Sequence, residues 1–405
     1  MGIPIKVNGI SWQNLPLRAY NLIYNDWFRD ENLQNSAVVD LDDGPDTYTD
    51  YVVRRRGKRH DYFTSCLPWP QKINDGTVVE IPLGTSAAVK LVPHTTSTNF
   101  NHILKAVDDT HPPSSGLNVE NTTSALTDPS STNGLVLDPN GRLYADLSTA
   151  TAASINQLRQ AFQLQKLYER DARGGSRYTE IIRSHFNVIS PDMRLQRPEY
   201  LGGGSSMVNI NPVAQTSPAQ TDDVVSTPQG NLAAFGTVSA HGHGFTKSFT
   251  EHGYIIGIVS VRADLNYQQG KNRMWNRSIR WDFYWPALSH IGEQAVLNQE
   301  IFAQGTSADY DVFGYQERYA EYRYKPGQIS GLFRSDATGT LDAWHLAQDF
   351  GSLPVLGATF IEENAPVDRV IAVPAQPHFI FDSFFHMNCV RPMPLFGVPG
   401  LIDHF

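Results

Sequence analysis

Gly253-Tyr-Ile-Ile-Gly-Ile-Val-Ser-Val-Arg-Ala-Asp-Leu265 is the stretch on which the fold class turns. It is rich in β-branched residues and sets Ile256, Ile258, Ser260 and Arg262 on one face, the period-two pattern of a strand. Its apolar centre, Tyr254 to Val261, falls short of the ~18 consecutive apolar residues that a membrane span needs. Arg280 to Trp285, Val312 to Lys325, Val367 to Val373 and Phe379 to Val390 read the same way. In the last, Phe379, Phe381, Phe385, Met387 and Cys389 share a face, with Asp382, His386 and Asn388 opposite. Long irregular connections separate these segments where a βαβ sheet would have regular helices. The expectation is a mainly β chain, an antiparallel sandwich with elaborated loops. No internal repeat is evident, which disfavours propellers and solenoids.

Toward the N-terminus the period changes. Residues 16–34 carry Tyr20, Ile23, Tyr24, Trp27 and Phe28 at three-and-four spacing behind Pro16, which predicts an amphipathic helix. A second helix is expected over Asp146 to Arg173, with Ser148 as N-cap, Ile155, Leu158, Phe162 and Tyr168 on one face, and Gly174-Gly175 as its stop. Tyr178 to Phe186 reads as a short third helix. Pro191 to Gly244 reads as a long loop. From about Lys72 to Arg142 the pattern fades: fourteen Ser and Thr lie between His94 and Gly134, and no Arg occurs from residue 60 to 141. A run of that length with so little periodicity is read as an exposed insertion.

The composition narrows the function classes. The chain has 405 residues, with 32 Lys plus Arg against 41 Asp plus Glu for a net charge of −9. Only 18% of residues are charged, below the ~25% usual for globular proteins. Cys66 and Cys389 are too few for a disulfide framework or a four-thiolate metal site, so the simplest compartment is a reducing cytosol. Met1-Gly-Ile-Pro-Ile-Lys6 matches neither a secretory signal nor a myristoylation signal. The chain holds 20 Phe, 17 Tyr and 7 Trp, and its 23 Arg outnumber its 9 Lys. Tyr, Trp and Arg are enriched at protein contacts and Lys is depleted there, so the bias suits an interface-rich protein.

Catalytic constellations are missing. His241, His243 and His252 could approach one another, yet Glu251 is the sole nearby carboxylate and solvated loop histidines are the simpler reading. Gly202-Gly-Gly-Ser-Ser206 lacks the Lys-Ser/Thr of a phosphate loop and has no strand–turn–helix context. There is no Gly-x-Ser-x-Gly, and neither cysteine sits in a reactive-site signature. Glu362-Glu363 and Asp42-Asp43 read as solvated turn charges. No enzyme activity, cofactor or metal is expected.

The sharpest local feature is Arg54-Arg55-Arg56-Gly57-Lys58-Arg59. Five cations in six residues can neutralise several phosphates, and Arg forks fit phosphate oxygens. His60, Tyr62, Phe63 and Trp69 stand close by and could stack on bases. The plainer reading is a basic turn paired with the acidic stretch Asp40 to Asp50. Because the whole chain is acidic, any contact with nucleic acid must be one-sided.

Six segments carry a family resemblance: Leu15 to Leu33 (LPLRAYNLIYNDWFRDENL), Arg54 to Gln71 (RRRGKRHDYFTSCLPWPQ), Asn156 to Gly175 (NQLRQAFQLQKLYERDARGG), Gln196 to Gly204 (QRPEYLGGG), Gly314 to Pro326 (GYQERYAEYRYKP) and Val398 to Phe405 (VPGLIDHF). In content and order they resemble the major capsid protein of microviruses, in the gokushovirus group of small single-stranded DNA phages. The resemblance covers nearly the whole chain outside about 74–142 and 216–230.

It implies a single capsid domain over 1–405, an eight-stranded jelly roll with large loops, that self-assembles into a T = 1 icosahedral shell around a circular single-stranded DNA genome. Residues 72–142 would be the surface insertion, projecting at the three-fold axes and used in attachment to a host receptor. Arg54, Arg55, Arg56, Lys58 and Arg59 would face the DNA. Implied partners are further copies of the chain, the genome, other phage structural or scaffolding proteins and a host receptor, with no membrane insertion. The expected location is the virion, assembled in the bacterial cytoplasm. Family members carry a segment before the Gly2-Ile-Pro-Ile stretch that holds early barrel strands, so a chain starting here is expected to lack strands and expose edges. Two rivals share the β character: a carbohydrate-binding or carbohydrate-cleaving sandwich, and an attachment protein with no shell role.

Overall fold

The structure is a computed structural model that describes residues 9–72, 155–217 and 232–392, together with short strand segments at 88–91, 104–106, 118–119, 126–127, 135–137, 143–146, 219–221 and 224–227. In chain order the elements are α1 (Leu15–Ile23), β1 (Ala88–Leu91), β2 (Leu104–Ala106), β3 (Asn118–Val119), β4 (Leu126–Thr127), β5 (Leu135–Leu137), β6 (Leu143–Asp146), α2 (Ile155–Gly174) and α3 (Tyr178–Phe186). They continue with β7 (Asn209–Ala214), β8 (Ala219–Thr221), β9 (Val224–Thr227), β10 (Leu232–Thr237), β11 (Glu293–Leu297), α4 (Asn298–Ile301), β12 (Val312–Glu317) and α5 (Ala358–Ile361). The chain divides into two units, one made of Met1–Pro68 with Tyr200–Phe405 and the other of Trp69–Glu199.

The larger unit is organised around β11 and β12, an antiparallel pair in which Glu293 faces Glu317 and Val296 faces Gly314. Leu67 adds to the far side of β12: its N–H donates to the Tyr315 carbonyl and its carbonyl accepts from the Tyr315 N–H, both at 2.8 Å. Gly314 permits that approach, because a Cβ there would lie 2.8 Å from Cys66 Cβ and from Leu356 Cδ2. The core gathers Tyr62, Phe63, Cys66, Tyr267, Val296, Ile301, Phe313, Ala320 and Phe360. Phe63 sits at its centre, edge-on to Tyr62, Tyr267, Phe313 and Tyr324 with centroids 4.8–6.2 Å apart. Aromatic pairs in this geometry contribute ~0.5–1.5 kcal/mol beyond the area they bury.

The buried polar atoms of this core are paired in turn. Tyr62 donates to Glu300 at 3.0 Å and Tyr267 to Asp61 at 2.9 Å, while Gln316 donates to the Tyr62 carbonyl at 2.7 Å. The other oxygen of Asp61 accepts from the Phe63 and Thr64 N–H groups, an Asx turn that presents both aromatics inward.

The amphipathic helix expected over 16–34 is realised in its first half: α1 gives way at Tyr24 to a π turn, Tyr24–Phe28, and residues 29–34 are not helical. Asn21, fully buried, donates to the carbonyls of Val38 and Asp50 and ties the helix to the following loop. Arg18 takes up Asp42 and Asp46 of the acidic stretch. Arg18, with Asn14, holds the Asp46 carboxyl well below the usual carboxylate range.

The smaller unit holds three nested antiparallel pairs, β1 with β6, β2 with β5 and β3 with β4. The weak periodicity over 72–142 gives no sign of this pairing. Most residues of that expected insertion lie outside the described residues, as does the Ser148 cap. α2 and α3 form a helical hairpin closed by a His185 Nε2–Asp171 contact of 2.7 Å. α3 has the predicted bounds and ends on Asn187 in the left-handed region. Ile155 and Phe162 of the apolar stripe on α2 are exposed.

Two expectations need correction. The long loop predicted over Pro191 to Gly244 contains two antiparallel pairs, β7 with β10 and β8 with β9. The strands predicted in the second half are realised only in part. Val312 to Lys325 is a strand over Val312–Glu317. Arg280 to Trp285 opens instead on a 3-10 turn, because the Asp282 carboxylate accepts from the Ser278 and Ile279 N–H groups and bends the chain. Val367–Arg369 is likewise a 3-10 turn. Gly253 to Leu265 and Phe379 to Val390 have no ladder partner among the described residues. The architecture is mostly non-helical with short antiparallel pairs, within the expected β class; the pairs among the described residues are each two-stranded.

Candidate nucleic-acid interface

The basic run is held by backbone pairing with the last residue of α5 and the two that follow it. Lys58 N–H donates to the Ile361 carbonyl at 2.7 Å and Glu363 N–H to the Arg56 carbonyl at 2.9 Å, around an antiparallel bridge between Gly57 and Glu362. Pairing of this kind forces side chains to alternate, and it splits the cations into two sets.

The even positions turn toward the protein. The Arg54 guanidinium lies over the Tyr24 ring at 5.6 Å and the Arg56 guanidinium over the Phe28 ring at 5.1 Å. Arg56 also donates to Ser260 Oγ at 3.1 Å. Lys58 is buried, donates to the Phe360 carbonyl at 2.7 Å and lies 4.6 Å from the Phe360 ring centroid. Burial pushes the pKa of Lys58 down, and that of Arg56 as well. Lys58 is thus a structural cation, tying the basic run to the core.

The odd positions turn outward. Arg55 is exposed and donates to Asn364 Oδ1 and, at 3.4 Å, to the Glu363 carbonyl. Arg59 is exposed and makes a loose 3.4 Å ion pair with Asp264, itself 83% exposed. An exposed pair of this kind is worth ~0–1 kcal/mol, so phosphate can displace it readily. The plainer sequence reading, in which the run pairs with Asp40 to Asp50, is met only by Arg54, which donates to the Asp50 carbonyl at 3.4 Å; among the described residues no ion pair joins the two, since Arg18 takes Asp42 and Asp46 while Asp40 accepts from the Tyr51 hydroxyl.

Between α1 and the run lies a cleft of about 200 Å³ lined by Tyr20, Tyr24, Phe28, Arg54 to Arg56, Ile258 to Val261 and Glu363. Glu363 is 9% exposed, and neither of its carboxylate oxygens has a hydrogen-bond partner. Burial pushes its pKa up, against the pull of Lys58, Arg262, Arg56 and Arg59. This corrects the expectation of a solvated turn at Glu362-Glu363: a residue 308 positions from Arg55 gives no local sign that it packs beside the basic run. Of the rings expected to stack on bases, Tyr62 and Phe63 belong to the core, His60 is exposed and Trp69 is half-buried; the rings that line the cleft beside the run come from α1 and its π turn.

A second grouping of cations and rings lies outside the sequence expectations. Arg277 lies 4.3 Å from the Tyr322 ring centroid, Arg280 lies 4.0 Å from that of Trp281, and Arg318 lies 4.9 Å from that of Tyr319. Trp275, Trp281, Phe283 and Tyr284 beside them are exposed. The signal for it is the string Arg273-Met-Trp-Asn-Arg-Ser-Ile-Arg-Trp-Asp-Phe-Tyr-Trp285, where arginines recur among aromatics. His241 is paired with Ser239 Oγ at 2.6 Å, and the His243 ring packs against Gly204, where a Cβ would come within 2.2 Å. Among the described residues no group of three or more His, Cys, Asp or Glu is arranged to hold a metal, and no helix is long and apolar enough to cross a membrane.

Comparison with known proteins finds similarity along nearly the whole chain. A family described as capsid protein (F protein) matches residues 1–401. Capsid protein VP1 of Bdellovibrio phage phiMH2K is 50% identical, the alignment covering 100% of this chain and 76% of that protein. Capsid protein VP1 of Chlamydia phage 1 is 43% identical over 99% of this chain and 76% of that protein. Capsid protein VP1 of Spiroplasma virus 4 is 40% identical over 99% and 75%.

Proposed function

The chain belongs to the capsid protein (F protein) family, and from that premise we propose that its copies close into a T = 1 icosahedral shell around a circular single-stranded DNA genome. The observation that carries this reading is the end-to-end similarity to the VP1 capsid proteins of three phages. A capsid protein is a structural component of the virion, and its work is self-association. The finer fold in this reading is an eight-stranded jelly roll, with residues 72–142 as an outward protrusion at the three-fold axes that meets the host receptor. Assembly takes place in the host cytoplasm with other phage structural or scaffolding proteins.

What supports the shell reading physically is the surface. The Arg277–Arg280–Arg318 grouping with its exposed tryptophans and tyrosines has the residue types that dominate binding energy at interfaces. The apolar stripe of α2, with Ile155 and Phe162 exposed, is a further surface suited to burial. A standard subunit contact removes ~1,600 Å² from water. The expected result is that the protein, produced with its natural companions, sediments as closed particles. A species that stays at 45.1 kDa under every condition refutes the reading, and glycan affinity of that monomer would favour the carbohydrate-binding rival.

The outward cations supply the contact to the genome in this reading. Arg55→Ala combined with Arg59→Ala should leave shell yield intact and lower the DNA retained per particle. The slope of log affinity against log salt for single-stranded oligonucleotides should flatten by roughly 0.7 for each phosphate no longer neutralised. Equal DNA content and an unchanged slope would refute a role for these two residues.

A further inference from the structure

We infer that the face built on residues 275–285 docks a second copy of the chain, receiving that copy's acidic loop 41–48 with Asp43 against Arg280 and with Leu41 and Tyr48 against the exposed rings. The inference rests on the reading that copies self-associate, and adds to it which two surfaces meet.

The face is rigid before anything covers it. Arg318 donates to the Trp281 carbonyl at 2.9 Å, and the Tyr322 hydroxyl accepts from the Tyr284 N–H at 3.2 Å. The Tyr319 hydroxyl donates to the Phe283 carbonyl and accepts from the Trp285 N–H, both at 3.1 Å. Residues after β12 thus pin the backbone, while Trp275, Trp281, Phe283 and Tyr284 stay exposed. Large rings fixed in place lose little freedom when a partner covers them, which suits them as contact anchors.

Most cations around these rings are already neutralised. Arg273 pairs with Glu300 at 2.9 Å, Arg277 with Glu321 at 3.7 Å and Arg323 with Glu317. Arg280 is exposed and lies against Trp281, and its guanidinium has no ion pair or hydrogen bond among the described residues. A DNA strand is held by neutralising several phosphates along its path. One free cation among exposed rings fits instead a partner with apolar side chains and a well-placed carboxylate. Two copies of this same face set together would join rings but leave both Arg280 groups without an anion. The contact is therefore between unlike surfaces, the kind that closes into rings.

The loop after α1 supplies what the face lacks. Among the described residues Asp42-Asp43 is the one adjacent pair of exposed carboxylates. Arg18 holds Asp42 at 3.4 Å, whereas Asp43 has no ion pair or hydrogen bond among the described residues. Leu41 is 94% exposed and Tyr48 85% exposed, apolar surface on either side of the charge. The loop is firmly held as well: Asn14 and Arg18 bind Asp46, and the Tyr51 hydroxyl donates to Asp40 at 2.6 Å. Asp382 also stands among exposed apolar side chains, but on an alternating extended segment suited to ladder pairing. Each copy therefore carries one unfilled face and one loop that complements it.

The test is a charge exchange in the full chain, produced with its natural companions and sedimented. Arg280→Glu alone and Asp43→Arg alone should each cut particle yield roughly tenfold or more, because each sets like charge against like. The double variant, which re-forms the pair with its signs exchanged, should recover most of the wild-type yield. Both positions are exposed, so the soluble variants should unfold at the wild-type denaturant midpoint. A second readout avoids the charge variants: in a Cys389→Ser background, Leu41→Cys with Trp281→Cys should be linked between copies by a short bis-maleimide. Single variants that assemble normally, a double variant as poor as the singles, or no cross-link in assembled particles overturn the docking and leave the shell reading standing. Normal particle yield with lost DNA assigns the face to the genome, which likewise overturns the docking. Wild-type protein that forms no particles overturns both.

Discussion

Phe63→Ala should lower the free energy of unfolding by ~3–5 kcal/mol, the range for deleting a fully packed phenylalanine. Phe63 is 4% exposed and touches four rings edge-on, so its removal leaves a cavity whose walls cannot all collapse inward. Tyr62 and Tyr267 are tethered by hydroxyl hydrogen bonds to Glu300 and Asp61, which prevents them from sliding into the space. Against a total of ~5–15 kcal/mol for a typical domain, that loss is a large fraction. Urea unfolding followed by intrinsic fluorescence measures it. Phe63→Leu, which keeps most of the volume, should restore more than half. A midpoint for Phe63→Ala within error of the wild type would show that the aromatic cluster does not hold this unit together.

Arg273→Ala should be comparably damaging, and its cost should depend on pH. Arg273 donates to Glu300 at 2.9 Å and to the Ala295 carbonyl at 2.7 Å, while the Glu300 side chain is only 3% exposed. Removing one partner of a buried pair leaves the other charge uncompensated, typically at ~3–5 kcal/mol. Burial already pushes the Glu300 carboxyl up; Arg273, the Leu297 N–H and the Tyr62 hydroxyl pull it back.

A carboxyl whose folded pKa is raised stabilises the fold fully below its unfolded pKa, and that contribution is lost as pH rises through the folded value. Without Arg273 the folded pKa climbs further. The deficit relative to wild type should therefore be smallest in acidic buffer and widen toward neutrality. Glu300→Gln in the Arg273→Ala background should flatten this dependence. Denaturant midpoints across a pH series measure it, and a deficit that is constant or shrinks with rising pH would contradict the assignment.

The local elements are plainly legible in the sequence. α3 begins and ends where its pattern says, α2 stops at Gly174, and the recurrence of Tyr20, Ile23 and Tyr24 marks α1. Helical signals are local, since each turn is stabilised by residues three and four apart. Strand pairing is not: the alternation in Gly253 to Leu265 and Phe379 to Val390 defines two faces without naming a partner. Pro212 and the polar residues of 209–237 mask the β7–β10 pairing for the same reason.

The candidate site shows the limit most clearly. Five cations between 54 and 59 are conspicuous, but nothing in their order separates Lys58, which faces the core, from Arg55 and Arg59, which face out. That division is made by the bridge to residues 361–363. Glu363 is invisible as a site residue in the sequence because its meaning comes from what surrounds it.

The same bridge has a bearing on timing. Arg55 is held by groups 308 and 309 positions further along the chain, so the surface exists only once nearly all of the polypeptide has left the ribosome. At ~5–20 residues per second, roughly 15–60 s separates synthesis of the two halves. During that interval Lys58 lacks its carbonyl and ring, and the arginines ride on an unpaired, mobile segment. The proposed genome contact is therefore closed to a nascent chain, and it opens only on a finished subunit.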